Sequence, residues 1–419
     1  MNINIFQSGK SVKEFGALGD GITNDAVAFQ KAFDSGLPVI SIPFGKYLIG
    51  APLKIGSDTT ILAHKRAEIV LGDKVCTKRG EFLLTNQNHD TGDKNISIYG
   101  GIWNGNNLQN PKCADLFDSN GYSGALLCFM NVKNLTLSGL TLLDPAAYFT
   151  RFCEIDGFLI ENISLCAFNI RPNNDGIHLG GFCQNGIVRN ITAVTPGTPN
   201  DDMIAINADD SLVRVENLDM KCGFIRNIYV DNLYAEKCHS FVRLLSIDSE
   251  ISNISVNHVR GGFTVMAVNM DAARYCRTPL VDPSSARYVE GVGSIENVTI
   301  NDMQVYCTSA GENTSYLRLE SNMSNFKLTG FKRLWELEAK PSGSTMFLQN
   351  VRASKLRFAG LCDLQTESLA KTCKDLSVSQ YVTDTEEENY CAEIKTTVGD
   401  KVILPNGGFD RLVIYGRDE

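Results

Sequence analysis

The chain has 419 residues, 43% of them hydrophobic, with 36 glycines, 12 prolines and a formal net charge of −9. This composition excludes a disordered chain, which lacks core material, and argues against nucleic acid as a partner, since a phosphate binder needs a basic surface and no Lys/Arg-dense run is present. No apolar run nears the roughly 20 residues of a bilayer span, and the start, "MNINIFQSGKSVKEFG", has no apolar segment of signal-peptide length.

The expectation is therefore a chain without a membrane or nucleic-acid partner, cytoplasmic, or secreted if a leader has been removed. The 13 cysteines are an odd number without CxxC spacing and stand mostly among apolar neighbours, as Cys128, Cys153, Cys166 and Cys307 do. They read as buried thiols, with no metal and no cofactor implied.

In chain order, "VKEFGALGDGITNDAVAFQKAFDSG" comes first. A Thr23 or Asn24 cap before Val27, Phe29 and Phe33 predicts one short amphipathic helix, a lid over the apolar end of the coils that come after it. Next comes a repeat of Asn before an alternating apolar stretch: "KNISIYGG" at Asn95, "KNLTLSGL" at Asn134, "ENISLCAF" at Asn162, "RNITAVTP" at Asn190, "RNIYVDNL" at Asn227, "SNISVNHV" at Asn253 and "ENVTINDM" at Asn297. Spacing of 20 to 50 residues marks a solenoid, and alternation marks strands. The prediction is an all-β parallel β-helix, its asparagines placed in left-handed turns and bonded from coil to coil rather than glycosylated. One domain spans 1–419: cap and first coil over about 12–45, regular coils over about 46–330, and irregular terminal coils over about 331–419 that include a brief helix at "TESLAKTCKDLS".

Within the repeat, "RPNNDGIHLGG" at 171–181 is echoed by "PNDDMIAINAD" at 199–209. Equivalent residues of successive coils stack about 4.8 Å apart, so Asp175 falls beneath Asp202 and Asn174 beneath Asp201. Carboxylates that close repel, and at least one should keep its proton to higher pH. An acid and a base side by side are what hydrolysis of a glycosidic bond requires. If Ile204, Val242 and Val265 are equivalent, Asp210, Asp248 and Asp271 form a second column, able to bind hydroxyls, hold a cation or simply make turns. Tyr148 and Tyr275 flank these coils as candidates to stack on a sugar face.

These motifs resemble the polygalacturonase family, glycoside hydrolase family 28. That family carries Asn-Thr-Asp-Gly-Ile and, one coil later, Asp-Asp-Cys-Ile-Ala-Ile, against Asn173, Asn174, Asp175, Gly176, Ile177 and Asp201, Asp202, Met203, Ile204, Ala205, Ile206. "FGALGDGITNDAVAFQKAF" and "GIWNGNN" also resemble early segments of such proteins, so the similarity runs over roughly 12–275. The resemblance implies a right-handed parallel β-helix and an inverting hydrolase, with Asp201 as proton donor and Asp175 and Asp202 holding the attacking water. Of the family's Gly-His-Gly only His239 stands here, in "KCHSFVRLLSID", where it could tune the acid or bond a sugar hydroxyl. The family's Arg-Ile-Lys is absent; Arg243, Arg171 or Arg274 could replace it in gripping a carboxylate, or Arg243 could pair with the acids or with Asp248. Asn174 and His178 complete the substrate-binding candidates.

The implied partner is an oligosaccharide, galacturonide-like or related, attacked from one end, with Pro196–Asn200 or Cys276–Gly293 closing the groove. Two alternatives keep the fold: a Ca²⁺-dependent lyase or transglycosylase, and a non-catalytic, phage-type or carbohydrate-binding β-helix. Oligomeric state is not legible.

Overall fold

The computed structural model describes residues 9–115, 118–210, 220–270, 293–308, 316–319 and 321–334, and beyond them the backbone of strands up to Tyr415. It is a parallel β-helix: each strand pairs in parallel with its counterpart one coil earlier and one coil later. Five strands position the site, namely β1 (Thr150–Cys166), β2 (Ile177–Leu179), β3 (Asp202–Asn207), β4 (Ile225–Leu245) and β5 (Glu250–Met270). Among the described residues no helix is long and apolar enough to cross a membrane.

The core is a set of stacks. Leu53, Leu84, Leu127, Thr150, Ile177, Ile204, Val242, Val268 and Leu317 stand one above another in register, all of them buried. Alternate strand positions point to opposite faces, so one apolar residue per pair, repeated coil after coil, fills the interior. Ile204→Ala should lower stability by about 2–5 kcal/mol, because neighbours above and below cannot collapse into the void. Urea unfolding checks this, and a loss below about 1 kcal/mol would contradict a tightly stacked interior.

The corners are set by asparagine, though on two ladders rather than one. Asn134 donates to Asn95, Asn227 to Asn185, Asn253 to Asn227, Asn297 to Asn253 and Asn325 to Asn297, at 2.7–3.2 Å. A second ladder runs from Asn232 to Asn190 to Asn162, at 2.8 and 2.9 Å. All of these residues have left-handed backbones, which Asn tolerates. Asn162 and Asn190 therefore do not share a position with Asn227, as a single alignment of the repeats supposes; both corners are spelled Asn followed by an alternating strand.

The first helix forms at Ala26–Phe33 and buries Ala26, Ala28, Phe29, Ala32 and Phe33. Phe29 meets Tyr47 edge to face at 5.2 Å. Val27, expected on this face, is 63% exposed. The Asn24 side chain accepts from Ala26 N and Gly50 N, while Asp25 holds Leu18 N and Gly19 N instead of its own helix. Gln30 donates to the Lys54 carbonyl and accepts from the Lys54 N–H, so the helix satisfies backbone groups of an early strand that would otherwise be exposed at an edge. The helix expected at Thr366–Ser377 lies outside the described residues except at Leu376 and Ser377, which open a strand.

Candidate active site

The doubled phrase folds as two consecutive coils. β2 and β3 pair Ile177 with Ile204 and His178 with Ala205, which sets Asp175 opposite Asp202 and Asn174 opposite Asp201. Gly176 N donates to Asp202 O at 2.9 Å. A side chain at Gly176 would strike Met203 O at 2.5 Å and Leu165 at 2.8 Å, so this close approach of the coils needs glycine. Asp202 pairs in turn with Ser240 of β4, and Ser240 with Met266 of β5.

Three of the acids differ sharply in surroundings. Asp202 is buried; Ser240 Oγ donates to its Oδ1, and Arg243 Nη1 lies 3.4 Å from its Oδ2. Burial, then the Asp201 charge, push its pKa up to about 6, against the lowering pull of Arg243, His239 and Ser240. Asp202 therefore contributes to stability while protonated, below about pH 4, and that contribution is lost as pH rises through about 6. Asp175 is also buried, and its pKa is raised by burial despite His178, with Asp202 and Asp210 adding repulsion. Asp201 stands at the surface, its side chain 25% exposed, 3.7 Å from Nδ1 of the 31% exposed His239. The carboxyl groups that reach solvent and those that do not are thus separated by one residue.

His178 is locked between two acids, Nδ1 at 2.6 Å from Asp175 and Nε2 at 3.2 Å from Asp210. Burial opposes its charge, yet Asp175 and Asp210 outweigh it and push the pKa up to about 9. The imidazolium is buried and supports Asp175, so its expected contact with substrate is corrected. Tyr148 meets His178 edge to face at 5.2 Å and lies under Arg151 at 4.8 Å, itself buried; its ring packs the cluster and offers no face to a sugar. Asn174 is fully buried and donates to Ala147 O, a structural bond.

The second column is corrected in part: Ile204 pairs with Val242 as expected, but the next step differs. Val242 pairs with Val268, not Val265, because β4 and β5 keep the 26-residue step seen from Asn227 to Asn253. Asp209 accepts from the backbone N–H of Ile247, Asp248 and Ser249, which leaves Asp248 exposed at a coil corner and Asp210 turned to His178. Arg171 is half-buried on the wall of a neighbouring pocket with Lys112 and Asn173. Asp271, Arg274 and Tyr275, and nearly all of the loop at 276–293, lie outside the described residues. The Pro196–Asn200 loop abuts the site, with Pro199 O accepting from His239 N at 2.9 Å.

Three residues were not singled out from sequence. Ser240 could have been found by carrying the stacking one coil beyond Asp202. Asn173, inside the quoted phrase, places Nδ2 3.5 Å from Asp201 Oδ2. Lys112, which donates to Asn173 Oδ1 at 2.9 Å, comes from a loop with no repeat signal.

Donor atoms of Asp201, Asp202 and His239 lie within 4.8 Å of one another and could in principle hold a cation. Asp202 is already engaged by Ser240 and by the Arg243 guanidinium, and a fixed cation beside the trio disfavours a second. The arrangement suits proton transfer better: one accessible carboxyl beside a buried one whose pKa is raised.

Fold and site together define a parallel β-helix with a carboxylate cluster on its outer wall. Residues 10–265 match the model of the family described as rhamnogalacturonase A/epimerase, pectate lyase-like, and the chain belongs to that polygalacturonase-like family. It is 29% identical over 246 residues to a probable polygalacturonase of Arabidopsis thaliana, covering 55% of this chain and 50% of that protein. It is 40% identical over 101 residues to the pre-neck appendage protein of Bacillus phage phi29, covering 24% of this chain and 12% of that protein. The matched part is thus half or less of these relatives' length. Its fold is similar to the family 28 exopolygalacturonase of Yersinia enterocolitica, with a TM-score of 0.53, 17% identity, and coverage of 94% of this chain and 79% of that one.

Proposed function

We propose that this protein is a glycoside hydrolase acting on a galacturonide-like or related oligosaccharide, with Asp201 as general acid and Asp202 and Asp175 holding and activating water. The observation that carries this reading is the stacking of Asp175 on Asp202 beside an accessible Asp201. Arg243 and Ser240 hold Asp202 in place, His178 does so for Asp175, and His239 faces Asp201 on the open side. Inversion follows the family; the donor atoms of Asp201 and Asp202 are closer than the roughly 6.5–9.5 Å usual for an inverting pair. Attack from a chain end and a cytoplasmic location belong to the same proposal.

The test is turnover of defined oligosaccharides, measuring new reducing ends alongside ultraviolet-absorbing unsaturated sugar, with and without chelator. Hydrolysis gives reducing ends alone and ignores the chelator; unsaturated product that disappears with chelator would make the protein a lyase. As the base must be ionised, kcat/KM should fall as pH drops through about 6. A profile flat from pH 4.5 to 7 would remove Asp202 from that role.

A second reading, a β-helix appendage that binds glycan without cleaving it, draws on the 40% identity to the phage protein. Asp201→Asn separates the two, since a binder keeps its affinity and has no turnover to lose.

A further inference from the structure

On the wall that carries the acids, Cys128, Arg151, His178, Ala205 and Arg243 pair in turn from one coil to the next. Their sequence neighbours Leu127, Thr150, Ile177, Ile204 and Val242 fill the interior, so alternation turns this column outward; flanking segments cover it, and all five residues are buried. Ala205 keeps the His178 ring and Arg243 two coil steps apart, about 9.6 Å. Arg243 lies against Asp202. His178 takes two acids instead, Asp175 at 2.6 Å from Nδ1 and Asp210 at 3.2 Å from Nε2.

Asp210 is brought to the ring by the turn that follows β3. Ala208 N donates to Leu245 O and Gly223 N to Ala208 O, at 2.8 and 2.9 Å, and Asp209 Oδ2 accepts from Ile247, Asp248 and Ser249 N at 2.6–2.8 Å. The turn is thus fixed by groups other than the Asp210 side chain, which is buried against the histidine. A carboxylate on each ring nitrogen does what one alone cannot. Half a turn about Cβ–Cγ would present C–H to both acids, and a neutral imidazole, with a single N–H, would leave one acid without a donor. Tyr148 packs edge to face on the same ring at 5.2 Å. The other charged groups around it are Arg151 one coil back, Asp202 one coil on and Arg243 two coils on. Burial opposes the imidazolium, but Asp175 and Asp210 outweigh it.

We propose that Asp210 is a positioning residue for hydrolysis: by gripping Nε2 it aims the Nδ1–H of His178 at Asp175 and so holds that carboxylate in place beside the attacking water. This rests on the hydrolase reading. The logic is that of a third group that orients a histidine in a hydrolase triad, with the difference that here the histidine in turn orients an acid. Without the Asp210 charge the buried imidazolium loses one of its two anionic partners and releases its proton at lower pH. Asp175 then loses the cation that offsets its burial, and its carboxyl takes up the proton that a base must lack.

The experiment uses Asp210→Asn, which keeps the shape and removes the charge, with two readouts. The first is ¹⁵N-histidine NMR from pH 6 to 10; of the five histidines, His178 is the one whose signal is lost in His178→Leu. Wild-type His178 should stay doubly protonated through pH 8, and in the variant its titration should lie lower by about one pH unit or more. The second is kinetics on an oligosaccharide that the wild type cleaves: kcat should fall about 10- to 100-fold with KM within about twofold, as loss of an orienting partner costs, and the alkaline limb of kcat should move with the NMR titration. Circular dichroism checks that the variant is folded, and a wild-type ring that is neutral at pH 7.5 overturns the proposal without any variant. An unmoved titration, or a kcat within threefold of wild type, also overturns it while leaving the hydrolase reading intact. Wild-type protein that releases no reducing ends from any oligosaccharide overturns the hydrolase reading, and the role of Asp210 with it.

Discussion

Asp201→Asn should lower kcat by about 10²–10⁴-fold while leaving the fold intact. An amide of the same shape cannot deliver a proton to the leaving oxygen, yet it fills the same space on a side chain that is 25% exposed. Initial rates for both proteins, with melting temperatures in parallel, check both points. Residual activity within tenfold of wild type would assign the proton donor elsewhere.

His178→Leu should produce the largest loss of stability. In the wild-type protein one imidazolium serves two buried carboxylates, Asp175 and Asp210; removing it leaves both without their cation, which costs about 3–5 kcal/mol. The wild type carries the same interaction as a pH dependence. His178 is raised from 6.5 to about 9, so its contribution is complete below about pH 6.5 and is lost as pH rises through about 9. That shift corresponds to something on the order of 3 kcal/mol. Thermal unfolding between pH 6 and 10 should show the wild type losing stability across this interval and the variant starting lower but staying flat there. Parallel curves would mean that His178 is neutral in the folded protein. Without His178 lowering it, Asp175 should also hold its proton more tightly, and activity should fall with stability.

Much of the architecture was legible because a solenoid repeats its constraints. Each corner needs a left-handed backbone, each wall needs alternation, and Asn followed by an alternating stretch states both. The same economy hid the second ladder: Asn190 and Asn227 are spelled alike but occupy corners five residues apart in the coil, as the pairings of Asn190 with Asn232 and Asn227 with Asn185 show. The stacking of Asp175 on Asp202 was legible for the same reason, since a register inherited from Ile177 and Ile204 carries the preceding residues with it.

What was not legible is which neighbours each side chain meets within its coil. His178, Tyr148 and Asn174 belong to the right coils, but they are buried, Tyr148 and His178 against one another and Asn174 on the Ala147 carbonyl, away from a ligand. That outcome depends on neighbours from adjacent coils. The match of Val242 with Val265 failed for a different reason: aligning the final Asp of two phrases overrode the 26-residue step that β4 and β5 keep on both sides of a register shift at Cys238. Lys112 reaches the site from a loop outside every repeat, where spacing carries no information about position.

The central claim is that carboxylates of neighbouring coils break a glycosidic bond by adding water. Proton NMR of trigalacturonate during the first turnovers tests this directly. The expected result is a new reducing-end anomeric signal, in the inverted configuration before mutarotation, that is absent with Asp201→Asn. An olefinic sugar signal, or a substrate spectrum unchanged at high protein concentration, would contradict it.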